Sequence, residues 1–381
     1  MNVTMHGCRR HCCVALLSAL SCFLPSPTLY GVAWGGDQLY PAARGVLAAW
    51  RGQSADDRET DGAVCAACSA ETAACACCGV PLWQHRTGVQ AEVLYLRPGN
   101  VDVVYAVEQT SFLPALASPT GPVGRVNDNG GTGFRIGANW ALDDCASLVV
   151  TYSWLESDTV DAITATPGNV LNLQVGHPSV ATSGAASLAA SATYDIDFQL
   201  VDVAYRGLLW GTHDAAIDYV VGLRYAHLSQ DFMAEQDIFA GVGLTSVATQ
   251  INYDGFGPQF GLHGVKRRAG TGLLLYANGD VSLVGGECQA NYLQTNQFGG
   301  AAQIGNDLDD YRILTLADVE LGLGWESAGG RFRVTGGYLV SAWFNTLTTG
   351  SYVTGVQQGA YDDLSETLTF DGLVARIEWL Y

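Results

Sequence analysis

Polar and apolar residues alternate along much of the chain from residue 87 onward. A period of two with one apolar face is the pattern of a half-buried strand. It is plain at the end of the chain, 367–381. There Leu373, Ala375, Ile377, Trp379 and Tyr381 share one face, and Arg376 and Glu378 fall on the other. The same pattern recurs in ten stretches: 87–97, 132–140, 147–156, 193–206, 214–227, 250–264, 270–284, 311–325, 331–344 and 367–381. In 193–206 the phase flips. Tyr194, Ile196, Phe198 and Leu200 alternate with Asp195, Asp197 and Gln199. Then Val201, Val203 and Tyr205 alternate with Asp202 and Arg206. A β-bulge at the flip is the expected cause.

The connections between these stretches decide the class. Four are short (141–146, 207–213, 265–269, 326–330) and five are long (98–131, 157–192, 228–249, 285–310, 345–366), in strict alternation. This predicts an all-β fold, an antiparallel up-and-down transmembrane β-barrel of about ten strands, with eight to twelve possible. Its short turns would be periplasmic and its long loops external. A secreted β-sandwich is the competing fold, but it has no reason to segregate loop lengths in this way. The last strand is expected to pair with 87–97 and close the barrel. Trp140, Tyr152, Trp154, Tyr225, Trp325, Tyr338, Phe344, Trp379 and Tyr381 fall mostly near strand ends, as an aromatic girdle would.

The opposite face carries the candidate chemistry. Arg135, Asp197, Asp202, Arg206, Asp218, Arg224, Asp280, Arg312, Asp318, Glu320, Arg333, Arg376 and Glu378 are the pore-lining candidates. Charges of both signs can set the ion preference of a passage, or pair with one another and plug it. Ten strands make a narrow barrel, and eight already nearly fill with side chains.

Composition narrows the picture. A formal charge of −19, with Lys266 the single lysine, argues against a nucleic-acid-binding face. Residues 1–33 read as a signal peptide: Arg9 and Arg10, a short apolar core over 12–24, and a small-x-small cleavage site at Gly31-Val32-Ala33. Residues 34–86 lack periodicity and form a cysteine-rich linker, and 87–381 is the barrel domain. In an exported chain Cys65, Cys68, Cys75, Cys77 and Cys78 are disulfide candidates. Zinc, with His85 as a further ligand, is the alternative. No metal site is assigned, no cofactor is expected, and Cys145 and Cys288 stand apart.

No enzymatic activity is expected. A hydrolase needs Ser or Asn near a His and a carboxylate. His227 and His263 fall at opposite ends of adjacent strands, His177 in a loop and His213 in a turn. No G-x-S-x-G stands at a strand-to-helix turn.

Several strands resemble a known family. The residues are Ala91-Glu92-Val93-Leu94-Tyr95-Leu96-Arg97-Pro98, Phe198-Gln199-Leu200-Val201-Asp202-Val203-Ala204-Tyr205-Arg206 and Gly222-Leu223-Arg224-Tyr225-Ala226. Also Phe256-Gly257-Pro258-Gln259-Phe260-Gly261, Gly336-Gly337-Tyr338 with Ala342-Trp343-Phe344, and the run from Phe370 to Trp379. In this order they resemble the pore-forming outer-membrane proteins related to the Legionella major outer-membrane protein. The resemblance implies a pore-forming barrel in the bacterial outer membrane. It leaves the cysteine-rich linker uncovered, and Tyr381 stands where Phe is more usual. The expected function is a porin-like passage for ions or small solutes. The alternative is a structural or adhesive envelope protein whose barrel only anchors its loops. The expected partners are outer-membrane lipid, the barrel assembly machinery, and small solutes or ions.

Overall fold

The computed structural model describes residues 80–111, 117–127, 130–180, 187–238, 243–268, 270–296, 302–362 and 364–381. Residues 1–33, expected from the sequence to be a signal peptide, and the disulfide candidates at 65, 68, 75, 77 and 78 lie outside the described residues.

Ten antiparallel strands close into a ring. In order around it they are β1 (Gly88–Gly99), β4 (Gly131–Asp143), β5 (Ala146–Thr164), β7 (Ser187–Thr212), β8 (Ala215–Ile238), β9 (Gly243–Arg267), β10 (Leu273–Asn296), β11 (Ala302–Glu326), β12 (Phe332–Thr346) and β13 (Glu366–Leu380). The seam is the β1–β13 pair, in register from Gly88↔Leu380 to Gly99↔Thr369. Consecutive strands meet at short turns on one end, which faces the periplasm in an outer-membrane barrel. Among the described residues, three further strands, β2 (Val103–Gln109), β3 (Pro119–Val126) and β6 (Val170–Leu173), and the helix α1 (Thr349–Gln358) belong to the outer connections. Among the described residues, no helix is long and apolar enough to cross a membrane. The chain crosses with strands.

The strands run much longer than the alternation suggested. β7 has 26 residues and β8 has 24. At a rise of about 3.4 Å and a tilt of about 40°, β8 covers about 60 Å along the barrel axis, against an apolar band of about 25 Å. The barrel therefore projects well beyond the outer leaflet. Much of what reads as loop in 228–249 and 285–310 is strand.

The flip in 193–206 is not a bulge. β7 pairs with β5 without interruption from Ala146↔Gly207 to Thr164↔Ala189. Tyr194, Ile196, Phe198 and Leu200 all face the lumen and are buried, as do Ala204 and the partly buried Asp202 and Arg206 below them. The geometry keeps its period while the chemistry inverts. In the membrane the apolar residues face lipid, and the lumen is polar. Beyond it the outer surface meets water and the lumen becomes the dry core. Leu228, Phe232 and Ala234 continue this core on β8, and Ala290 and Tyr292 on β10.

Helix α1 completes the outer core. Thr348 caps it, accepting from the Ser351 amide, while the Ser351 hydroxyl accepts from the Thr348 amide. Gly359 ends it in the left-handed region at φ 64°. Its Tyr352, Val353 and Val356 are buried in the core. The buried Gln230 holds the entry: its Nε2 donates to Leu347 O at 2.8 Å, and its Oε1 accepts from Tyr194 Oη at 2.9 Å and Thr349 N at 3.3 Å.

A second polar anchor lies on β2. Buried Glu108 accepts from the Thr166 hydroxyl and from Asn169 Nδ2, the latter at 2.5 Å. The bond from Thr166, then that from Asn169, holds its carboxyl below its usual range. A depressed folded pKa contributes stability above the unfolded value and loses it as pH falls through the folded one. Acidification below about pH 4 is thus expected to loosen β2 from the 165–170 turn. Limited proteolysis across pH should show it, and Glu108→Gln should flatten the dependence.

Candidate functional site

The lumen is the candidate site, and it is built in three layers. The outer layer is aromatic. Phe198 on β7 reaches Trp343 on β12, which stands opposite it in the ring, with ring centroids 5.7 Å apart. Phe370 on β13 closes the triangle at 4.8 Å from Phe198 and 5.9 Å from Trp343.

The middle layer is ionic. Arg376 Nε meets Glu92 Oε1 at 2.6 Å, and its Nη2 meets Glu320 Oε1 at 2.9 Å. Arg135 Nη1 meets the other oxygens of the same two acids at 3.1 and 3.5 Å. The Arg376 guanidinium also lies 5.6 Å from the centre of the Tyr276 ring. That ring occupies space left by Gly322 and Gly337, where an added methyl would come within 2.5 and 2.4 Å of it. Beside this cluster Arg224 grips both oxygens of Asp202 at 2.7 and 3.1 Å and Asp318 at 2.5 Å. The Ser341 hydroxyl donates to Asp318 at 2.5 Å, and Trp343 Nε1 donates to Ser341 at 3.0 Å. The ionic and aromatic layers are therefore joined.

The inner layer is a polar chamber of 210 Å³ toward the periplasmic end. His263 meets Asp280 there at 3.0 Å, and Arg206 meets Asp218 at 2.5 Å. Arg333 binds Glu326 at 2.8 Å and Glu378 at 3.1 Å. Residues 80–86 cross the mouth below. Leu82 N donates to His213 O at 3.1 Å and His85 N to Asp144 O at 2.9 Å. Arg86 donates to Gly330 O at 2.6 Å, Tyr381 O at 3.2 Å and Leu380 O at 3.4 Å. These residues, read from sequence as the end of the linker, form a strap tied to three turns and to the last strand.

The strap brings His85 into the lumen. Its Nδ1 lies 2.8 Å from Ser147 Oγ, and its Nε2 lies 3.5 Å from Asp218 Oδ1. The sequence shows no signal for this meeting, because the strap has no period and the three residues are far apart in the chain. His227 and His263 stay apart: His227 pairs across the sheet with Asp254 near the middle of the β8–β9 pair, and His263 with Asp218 near its turn end.

Of the pore-lining candidates, Arg135, Asp202, Arg206, Asp218, Arg224, Asp280, Asp318, Glu320, Arg333, Arg376 and Glu378 line the chamber and its roof. Arg312 faces inward but higher, bonded to Asp310 at 2.9 Å and to Leu364 O at 2.6 Å. Asp197 does not line the lumen. It alternates with buried Ile196 and Phe198, so it lies on the outer face in the half where the faces have exchanged chemistry. Trp140, Trp325, Trp379 and Tyr381 face outward at the turn end. Tyr152, Trp154, Tyr225, Tyr338 and Phe344 face outward higher up. Cys145 sits at the β4–β5 turn, and Cys288 is buried in the outer core.

Ring closure, an apolar outer band and a polar lumen define an outer-membrane β-barrel. The family model of the Legionella pneumophila major outer membrane protein precursor matches residues 79–381, and the chain belongs to that family. No curated protein matches it. Among solved structures it is similar to the outer membrane protease OmpT of Escherichia coli: 11% identity, 77% of this chain and 97% of that one, TM-score 0.42. The Pseudomonas putida toluene transporter TodX matches at 8% identity over 77% of this chain and 90% of its own, TM-score 0.23. A Pseudomonas aeruginosa FadL homologue matches at 8% over 78% and 90%, TM-score 0.21. These are distant likenesses of fold.

Proposed function

We propose that this protein is an envelope component whose barrel is a closed anchor for a structured outer projection, in a structural or adhesive role. The carrying observation is the Phe198–Trp343–Phe370 layer, which spans the lumen with side chains of the barrel strands themselves. Strand side chains cannot swing away as a loop plug can. The ionic layer beneath adds a second barrier, since its charges are paired with one another and not left to attract a passing ion. Planar-bilayer recording of the folded protein is the test. The expected result is the absence of discrete conductance steps. Regular steps from the wild type would overturn the reading.

A second reading, a porin-like passage for ions or small solutes, is favoured by the polar chamber with charges of both signs. It requires the aromatic layer to part. On that reading, Phe198→Ala with Trp343→Ala raises the unit conductance over the wild type. On the anchor reading, wild type and variant are both silent, because the paired charges still fill the lumen.

A further inference from the structure

His85, Ser147 and Asp218 form a chain of contacts that neither the anchor nor the passage requires. All three line the chamber, and all three are nearly buried. We infer that Ser147 is an activated nucleophile, with His85 as its general base and Asp218 as the group that orients the base, acting on small acyl esters that reach the chamber from the periplasmic side.

The fold places each member. Ser147 is the second residue of β5 and points inward at the turn end, opposite Arg206 in the register with β7. Asp218 lies on β8, one strand further round, and Arg206 holds its Oδ2 at 2.5 Å. His85 is fixed by the strap, whose hydrogen bonds to Asp144, His213 and Gly330 leave the imidazole little freedom. One tautomer suits every group: the Ser147 hydroxyl donates to Nδ1, and the Nε2 proton faces Asp218 Oδ1. This is the nucleophile–base–orienter arrangement that generalises across hydrolase folds. The ring nitrogens are exchanged relative to the familiar order, which the chemistry permits because roles follow geometry.

The spacing is informative. The base touches the serine at 2.8 Å, and its Nε2 stands 3.5 Å from Asp218 Oδ1. Such a contact has room to shorten when the imidazole becomes charged, as catalytic contacts do on reaching the transition state. The acyl-transfer step then balances. Ser147 Oγ bonds to the ester carbonyl carbon as its proton passes to His85 Nδ1. The carbon–oxygen bond to the leaving alcohol breaks, and His85 returns the proton to that oxygen. Water attacks the acyl-serine with the same proton path and releases the acid. Arg206, the cation opposite Ser147 in the register, binds Asp218 Oδ2 through Nε at 2.7 Å and Nη2 at 2.5 Å and so fixes the orienting carboxylate. A chamber of 210 Å³ falls below the size of drug-binding pockets, which restricts the acyl group to a short one.

The test is covalent labelling of the folded full chain in detergent with diisopropyl fluorophosphate, which loses fluoride as the serine oxygen–phosphorus bond forms. Peptide mass mapping is expected to find the adduct on Ser147. Ser147→Ala should remove it. His85→Gln keeps a hydrogen-bonding side chain in the strap and should slow labelling by about 100-fold or more. Heat-modifiable migration confirms that each variant is folded. A folded wild type that takes no label at Ser147, or labelling of His85→Gln at the wild-type rate, overturns the inference. A strap pin alone predicts the first, and a serine that reacts without the help of His85 the second.

Discussion

Arg376→Leu is expected to destabilise the folded barrel by about 3–5 kcal/mol, the cost of breaking a buried ion pair from one side. Arg376 is the cation shared by Glu92 and Glu320, and it also lies near Glu378 at 3.7 Å. The side chain of Glu92 is fully buried. With Arg376 gone, Arg135 alone faces two carboxylates. Urea unfolding in micelles, followed by tryptophan fluorescence, measures the loss. Glu92→Gln in the same background should recover part of it, because the penalty comes from the acid left behind. Equal stability of Arg376→Leu and wild type would show the ionic layer to be solvated and loosely held.

Deleting residues 377–381 should abolish assembly altogether. The deletion removes the partners of Gly88, Val89, Gln90 and Ala91 at the seam, and of Phe332, Arg333 and Val334 on the other side of β13. It also removes the Leu380 and Tyr381 carbonyls that Arg86 holds. An open edge inside a bilayer leaves backbone groups with no partner, which a membrane does not tolerate. The measurement is the heat-modifiable band in isolated outer membranes. Its persistence in the truncated protein would refute the seam as an essential closure.

The barrel was legible in the sequence because lipid imposes a strict outward apolar face within the membrane. Val93, Leu223, Leu321 and Ile377 each show it, and the short turns between strands sharpen it. The outer half departs from the alternation for a physical reason. Above the membrane the dry side of the sheet changes place, so Ile196 and Phe198 point inward although they are apolar, and Asp197 points outward although it is charged. A reading that keeps the apolar face toward lipid at every height must invent a bulge or stop the strand. The ionic partners were hidden by topology. Arg135 and Glu320 meet across the lumen from β4 and β11, and nothing in either segment names the other. His85 was hidden because a strap that lies across a mouth needs no periodicity. Its neighbours Leu82 and Arg86 are fixed by backbone carbonyls that any sequence supplies.

The exchange of faces makes the sheet its own depth gauge. Below the line, each strand is fitted to lipid outside and a polar, ion-paired lumen within; above it, to water outside and a packed apolar interior. An insertion of two residues above the line preserves which face each side chain takes. The projection can therefore lengthen or shorten in evolution without disturbing the part that anchors it. How far the protein stands from the cell and how firmly it is held there are separately adjustable quantities in one continuous sheet.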